Sequence, residues 1–278
     1  MSKQVEKAYK NLEFLNSAHA RPIRILTEYE EPRQRFLLNK VHSTIVFFGS
    51  ARIRSQEDAE ARLEAVMEVL VREPKNAEAL AALPNAQAGV RLGRYYNEAR
   101  DLARRLTDWS MSRKTGRHYY VATGGGPGIM EAGNRGAADV PGGKSVGLGI
   151  SLPFEQGVND WVPRELAFEF HYFFTRKYWF LYLCKSLIVF PGGFGTMDEL
   201  FETLTLVQTK KISRHIPLIL FGTEYWNDVI NLKAMAKWGT ISEADLKLLY
   251  ITDSVDDAYD YLLKQLKMME EEEGVLVD

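Results

Sequence analysis

Only one cysteine, Cys184, stands in this 278-residue chain, so no disulfide can form within it. Its setting in Trp179-Phe180-Leu181-Tyr182-Leu183-Cys184 suits a small buried hydrophobe better than a nucleophile. Net charge is −2, which excludes an overall basic field of the kind that draws a protein to nucleic acid. No apolar run approaches the roughly 20 residues of a membrane-spanning helix. The start, Met1-Ser2-Lys3-Gln4-Val5-Glu6-Lys7, has no apolar stretch like a secretory signal's. Together these absences predict a cytoplasmic protein with neither nucleic acid nor a membrane as partner. His19, His42, His118, His171 and His215 are scattered, and none pairs with another His, Cys or carboxylate at a metal-ligand spacing. Neither a metal nor a cofactor is expected.

What the chain does have is glycine in two informative places. Pro191-Gly192-Gly193-Phe194-Gly195-Thr196-Met197-Asp198-Glu199 follows the apolar run Leu187–Phe190 and leads into a helical pattern. Thr123-Gly124-Gly125-Gly126-Pro127-Gly128-Ile129-Met130-Glu131 follows another apolar run, Tyr119–Ala122. A glycine turn between strand and helix gathers backbone N–H groups at a helix N-terminus, where a phosphate fits. Two such turns predict a nucleotide held across the strand ends of one α/β sheet.

The rest of the pattern predicts a Rossmann-like, doubly wound, mostly parallel sheet of about six or seven strands with helices on both faces. Strands are expected at 44–48, 118–122, 145–150, 187–190 and 216–221, with a last short run at 248–251. Helices are expected at 55–72, 76–83, 91–111, 128–138, 173–185, 197–210, 224–237 and 255–270. Residues 3–18 carry a helical stripe (Val5, Tyr9, Leu12, Leu15), and residues 19–41, with Pro22 and Pro32, read as an arm laid on the body. The expected division is an N-terminal helix and arm at 1–41, a single nucleotide-binding domain at 42–270 with a helical insertion at 53–90, and an acidic tail at 271–278.

The glycine turns also lack things. Gly124-x-Gly126 is followed by Ile129, not by the third glycine of a dinucleotide fingerprint, and strand 145–150 ends without the acidic residue that would hold a ribose. Neither turn carries the Gly-Lys-Ser/Thr of a triphosphate-binding loop. A ligand with fewer phosphates, a monophosphate, is the simpler inference. Glu131, in the first turn after Gly128, would repel a phosphate there, so the phosphate belongs on 192–196 and the nucleoside nearer 124–126.

Pro191-Gly-Gly-Phe-Gly-Thr-Met-Asp-Glu199 matches the pattern P-G-G-x-G-T-x-x-E. With Gly124–Met130 and the pair Arg176-Lys177, it resembles the Lonely Guy family, the cytokinin riboside 5′-monophosphate phosphoribohydrolases, many once labelled lysine decarboxylases. The resemblance covers roughly residues 42–265. It is closer to the bacterial branch carrying G-G-G-P-G-I-M-E-A and L-P-F-E-Q, here at 124–132 and 152–156. It departs from the plant enzymes in the N-terminal arm and the 53–90 insertion.

The resemblance implies hydrolysis of the N-glycosidic bond of a nucleoside 5′-monophosphate, of AMP or cytokinin riboside type, by a homodimer or higher oligomer with sites near the subunit interface. A non-catalytic nucleotide or cofactor binder on the same fold is the alternative. Cleaving that bond develops positive charge on the ribose, which a carboxylate can stabilise or relieve by activating water. By resemblance Glu199 is that carboxylate and Arg176 the catalytic arginine, placed to orient Glu199, hold the phosphate or stabilise the departing base. The backbone of Gly192, Gly193, Gly195 and Thr196 would hold the 5′-phosphate, with Ser50 closing the pocket from the end of the first strand. Gly124, Gly125, Gly126, Met130, Lys177, Asp198 and Thr205 complete the expected substrate-binding set.

Each assignment has a plainer counterpart. Thr196-Met197-Asp198-Glu199 is also a capping box, which would turn Glu199 back onto its own backbone. Arg176 lies among Tyr172, Phe173, Phe174, Tyr178, Trp179 and Phe180, where it would either snorkel to the surface or pair with an anion. Those aromatics read as core or interface, or else as a shelf for the base. Met130 would line the base pocket or fill the gap between sheet and helix.

Overall fold

Short runs of β-branched, aromatic and leucine residues make the strands, and their alternate side chains face two different cores. A computed structural model describes residues 5–114, 117–152 and 157–274. Among the described residues the strands are β1 (Thr44–Phe48), β2 (Tyr120–Thr123), β3 (Ser145–Ile150), β4 (Ala167–Phe170), β5 (Cys184–Val189), β6 (Leu218–Phe221) and β7 (Leu249–Thr252). They form one sheet in the order β4-β3-β2-β1-β5-β6-β7, and every neighbouring pair is parallel.

The helices are α1 (Leu12–Asn16), α2 (Arg21–Leu38), α3 (Gln56–Arg72), α4 (Ala77–Ser112), α5 (Ile129–Ala138), α6 (Phe173–Tyr182), α7 (Phe194–Gln208), α8 (Thr223–Val229), α9 (Leu232–Lys237) and α10 (Val255–Glu272). Ile45, Phe47, Ile188 and Phe221 meet α4, α5 and α10 on one face. Val46, Phe48, Val189 and Leu220 meet α2, α6, α7 and α8 on the other. Burial on both faces explains why the strands read as unbroken apolar runs. This is the doubly wound Rossmann-like architecture. Because strand order reverses between β1 and β5, a crevice opens at their carboxyl ends, where such sheets bind ligands.

Several boundaries differ from the sequence reading. The stripe at 3–18 is not one helix: it breaks into a 3-10 turn at Ala8–Lys10, the short α1, and a second 3-10 turn at Ala18–Ala20. The arm, in contrast, is mostly the 18-residue helix α2. Pro22 sits in its first turn, where a missing N–H is harmless. Pro32 lies inside the helix and leaves the Glu28 carbonyl without its usual partner; Trp179 Nε1 of α6 donates to that oxygen at 2.9 Å. The expected helices 76–83 and 91–111 are one 36-residue helix, α4. Its Pro84 frees only the carbonyl of Leu80, a half-exposed position open to water. The helix expected at 173–185 stops at Tyr182 and β5 begins at Cys184. The helix expected at 224–237 is two short ones, and β4 is an added edge strand. No helix of the described residues is long and apolar enough to cross a membrane.

Candidate active site at the strand ends

Three chain segments converge where β1, β2 and β5 end. The Ser50 N–H donates to Pro191 O at 2.9 Å, and the Ile129 N–H donates to Ser50 O at 3.1 Å. Ser50 thereby joins the two glycine turns. Gly128 makes the junction possible: its φ is 72°, and a Cβ there would lie 2.3 Å from Ser50 O. Gly192 is equally confined, since a Cβ would stand 2.1 Å from the Thr196 hydroxyl. Thr196 is buried with its hydroxyl folded over that glycine.

The capping-box reading of Thr196 and Glu199 does not hold. The helix begins at Phe194 with Gly193 as its N-cap, so Thr196 and Glu199 both lie inside it. The N–H groups of residues 194–196 occupy the first turn, where helical geometry supplies no partner, and they face the turn that Gly193 and Gly195 leave open. Met130 packs over Gly124, whose added Cβ would meet its sulfur at 2.7 Å. The carbonyls of Gly125 and Gly126 are both taken by the Asn159 side-chain amide, at 2.9 and 3.1 Å.

Beside the second turn lies a cluster of charges shared by α6 and α7. Arg176 Nη2 stands 3.5 Å from Glu199 Oε1, and Lys177 Nζ stands 3.7 Å from Glu199 Oε2. Lys177 also binds Asp198 at 2.8 Å and Glu202 at 2.6 Å. Arg176 does not snorkel: its side chain is 14% exposed and packs over the rings of Phe173 and Phe180. Glu199 is 4% exposed. Burial pushes its carboxyl up to about 7, against the pull of Lys177 and Arg176 and with a push from Glu202 and Asp198. Lys177 shifts upward too: burial, which alone would lower it, is outweighed by its hydrogen bonds to Asp198 and Glu202. A cleft of about 560 Å³ opens along α7 next to this cluster, walled by Lys177, Phe194, Asp198, Glu202 and Thr205 among others.

The structure thus gathers Ser50, Gly192, Gly193, Gly195, Thr196 and the first glycine turn into one junction, and Arg176, Lys177, Asp198 and Glu199 into the adjoining cluster. Thr205 lies farther along α7, and its hydroxyl donates to Phe201 O at 2.7 Å. Pro153–Gln156 of the L-P-F-E-Q segment lie outside the described residues. Three neighbours escaped the sequence reading. Glu202 was visible in principle, being four residues after Asp198 and so on the same helical face. Tyr225, whose hydroxyl donates to Gly192 O at 2.6 Å, and Asn159 come from loops and a helix with no local signal. Glu131 faces α4, where it accepts from the Tyr96 hydroxyl at 2.8 Å. Cys184 is fully buried, and burial pushes its thiol up to about 12.

A family model described as "possible lysine decarboxylase" matches residues 130–262. That stretch holds most of α5 through most of α10 and the whole α6–α7 cluster, and the matched family is the one to which the Lonely Guy proteins belong. A search of curated proteins finds no match. Among solved structures the chain is similar to the molybdenum cofactor binding protein from the phototrophic bacterium Rippkaea orientalis. That likeness is 17% identity and a TM-score of 0.40 over 61% of this chain and 88% of that one.

Proposed function

We propose that the chain hydrolyses the N-glycosidic bond of a nucleoside 5′-monophosphate, of the AMP or cytokinin riboside monophosphate type, giving free base and ribose 5-phosphate. The family match supports a nucleotide-related function. One observation carries the finer reading: a carboxylate buried to 4% exposure sits against an arginine, directly after a strand-end glycine turn. A protein that only held a nucleotide would need the turns but would gain nothing from burying a carboxylate whose ionisation burial opposes.

The 5′-phosphate binds the first-turn N–H groups of α7, with Ser50 and the backbone of Gly192, Gly193, Gly195 and Thr196 around it. The base lies toward Gly124, Gly125, Gly126 and Met130, and Asp198 is an acceptor for ribose hydroxyls. With a carboxyl near 7, Glu199 is substantially ionised at neutral pH. In that form it stabilises the cationic ribose and takes the proton of the water that attacks C1′. The glycosidic electron pair leaves with the base nitrogen, which is then protonated. Arg176 holds Glu199 in place and keeps its charge tolerable. Lys177, tied to three carboxylates and held protonated, is poorly suited to the neutral amine that a Schiff-base decarboxylase requires.

Phe194 and Phe201 of α7 line the cleft, α6 exposes Phe173, Phe174, Tyr178 and Tyr182, and a second copy of the chain covers these rings in a homodimer or larger assembly. Sedimentation at micromolar concentration tests this, and a sharp monomer boundary would count against it. The reaction is tested by incubating the protein with a panel of nucleoside 5′-monophosphates and assaying free base and ribose 5-phosphate. Release by the native chain that disappears in Glu199→Gln and Arg176→Ala is expected. Tight binding with no release from any nucleotide would leave the non-catalytic binder instead.

A further inference from the structure

The N-terminal helix α2 touches the one element that carries Arg176 and Lys177. Its Glu28 grips the start of α6 in two ways. The carboxylate accepts the His171 N–H at 2.8 Å, the Tyr172 N–H at 3.3 Å and the Thr175 hydroxyl. The backbone carbonyl, left unpaired by Pro32, accepts from Trp179 one turn beyond Thr175 at 2.9 Å. Tyr172, the N-cap of α6, makes no side-chain cap of its own. Glu28 therefore fixes the entry to the helix from another element: it accepts from the two N–H groups that lead into α6 and from the Thr175 hydroxyl in its first turn, and it sets a negative charge at the positive end of the helix. Around this contact Tyr29 meets Tyr178 edge-on at 5.1 Å, and Phe36 packs on Trp179 and Phe168.

We propose that Glu28 is a positioning residue for the site: from the N-terminal helix it fixes the first turn of α6, and through it the place of Arg176 against Glu199. The inference rests on the catalytic reading of that pair, but its geometry does not. Arg176 is the residue next to Thr175, and its approach to Glu199 is a single contact at 3.5 Å. A small rotation or slide of α6 would open it. The other charges facing Glu199 are Lys177 from α6 and Asp198 and Glu202 from α7. Lys177 exerts the larger pull of the two cations and Arg176 the smaller; both ride on α6, so the titration of Glu199 reports on where α6 holds this pair.

The test is to follow the Glu199 carboxyl by 13C NMR titration in the native chain, Glu28→Ala, Glu28→Gln and Arg24→Ala. Among the described residues Arg24 Nη1 donates to the carbonyls of Leu15 and Ser17, both in the arm, so its loss loosens the arm while the bonds from Glu28 to α6 stay. In Glu28→Ala the midpoint rises by about half a pH unit or more as Arg176 moves off. Glu28→Gln, which keeps an acceptor oxygen, lies nearer the native value, and Arg24→Ala coincides with it. Where nucleotide hydrolysis is measured, kcat of Glu28→Ala falls about tenfold or more with KM within about twofold. A Glu28→Ala midpoint on the native curve, or an equal shift in Arg24→Ala, overturns the proposal. Absence of base release by the native chain would sink the nucleosidase reading alone, because the midpoints still decide the role of Glu28.

Discussion

Among the described residues two arginine–glutamate pairs are buried at opposite ends of the sheet's strands, and they are built differently. At the amino end of the strands, Arg113 makes two bonds to Glu270, at 2.9 and 2.8 Å, and the pair is 6% and 1% exposed. Glu270 also accepts from the Tyr119 hydroxyl at 2.9 Å and the Arg117 N–H at 3.3 Å. At the carboxyl end, Glu199 has one contact with Arg176 at 3.5 Å and one with Lys177 at 3.7 Å. Burial is the same; satisfaction is not. A buried carboxylate with its acceptor capacity filled is a structural clasp. One held by long contacts keeps that capacity for something else, and its raised protonation point is the sign of it.

The contrast can be pushed hardest at Glu199. Glu199→Gln should lower base release by about a thousandfold, the scale expected for removing a carboxylate that acts on the transition state. Glu270→Gln should leave kcat per folded molecule where it was. Single-turnover assays normalised to folded protein separate the two.

Stability should move the opposite way. Glu270→Ala removes the carboxylate that balances the buried charge of Arg113 beside Trp109 and Tyr119 and should lose about 3–5 kcal/mol in urea unfolding. Glu199→Gln should gain stability at pH 8, by up to about 3 kcal/mol, because the native carboxylate no longer has to ionise in a buried place. A loss of stability there would mean that the Arg176 contact outweighs burial.

A smaller effect follows from pH. The Glu199 carboxyl rises from 4.5 in the unfolded chain to about 7 in the fold, so between those values the native state holds the extra proton. Its contribution is fully present below 4.5 and is lost as pH climbs through 7. The difference in urea midpoint between Glu199→Gln and the native chain should therefore widen from pH 5 to pH 8. A constant difference would break the assignment. Smallest of all, Tyr119→Phe removes one of the bonds to Glu270 and should cost about 1 kcal/mol, with no change in turnover.

How much of this was legible beforehand depends on how local the cause is. Strand β3 was readable to both ends, because Ser145–Ile150 is an apolar run set off by the glycines at 142 and 143 and by Ser151. Both glycine turns and the order of strands and helices around them were equally visible. The helix α2 was not, because Pro32 argues against it locally and is answered by Trp179, far away in sequence. Pro84 misled in the same way. The capping box was present as letters, yet the helix starts two residues before Thr196, which the flanking glycines permit and no spacing rule reveals. The edge strand Ala167–Phe170 is four residues long and interrupted by Glu169, too short to stand out from loop. The contacts of Asn159, Tyr225 and Glu28 belong to tertiary structure alone.

The hydrogen bond between Glu28 and Trp179 spans 151 positions, and this gives the chain a clock. Helix α2 leaves the ribosome before α6, and the partner of its Glu28 carbonyl is made 151 residues later, roughly 7–30 seconds at ordinary synthesis rates. Through that interval Phe36 and the Pro32 gap have no surface to dock on. The arm is thus made well before the surface that locks it. Its protection from exchange in a stalled nascent chain marks the moment when β4 and α6 have emerged.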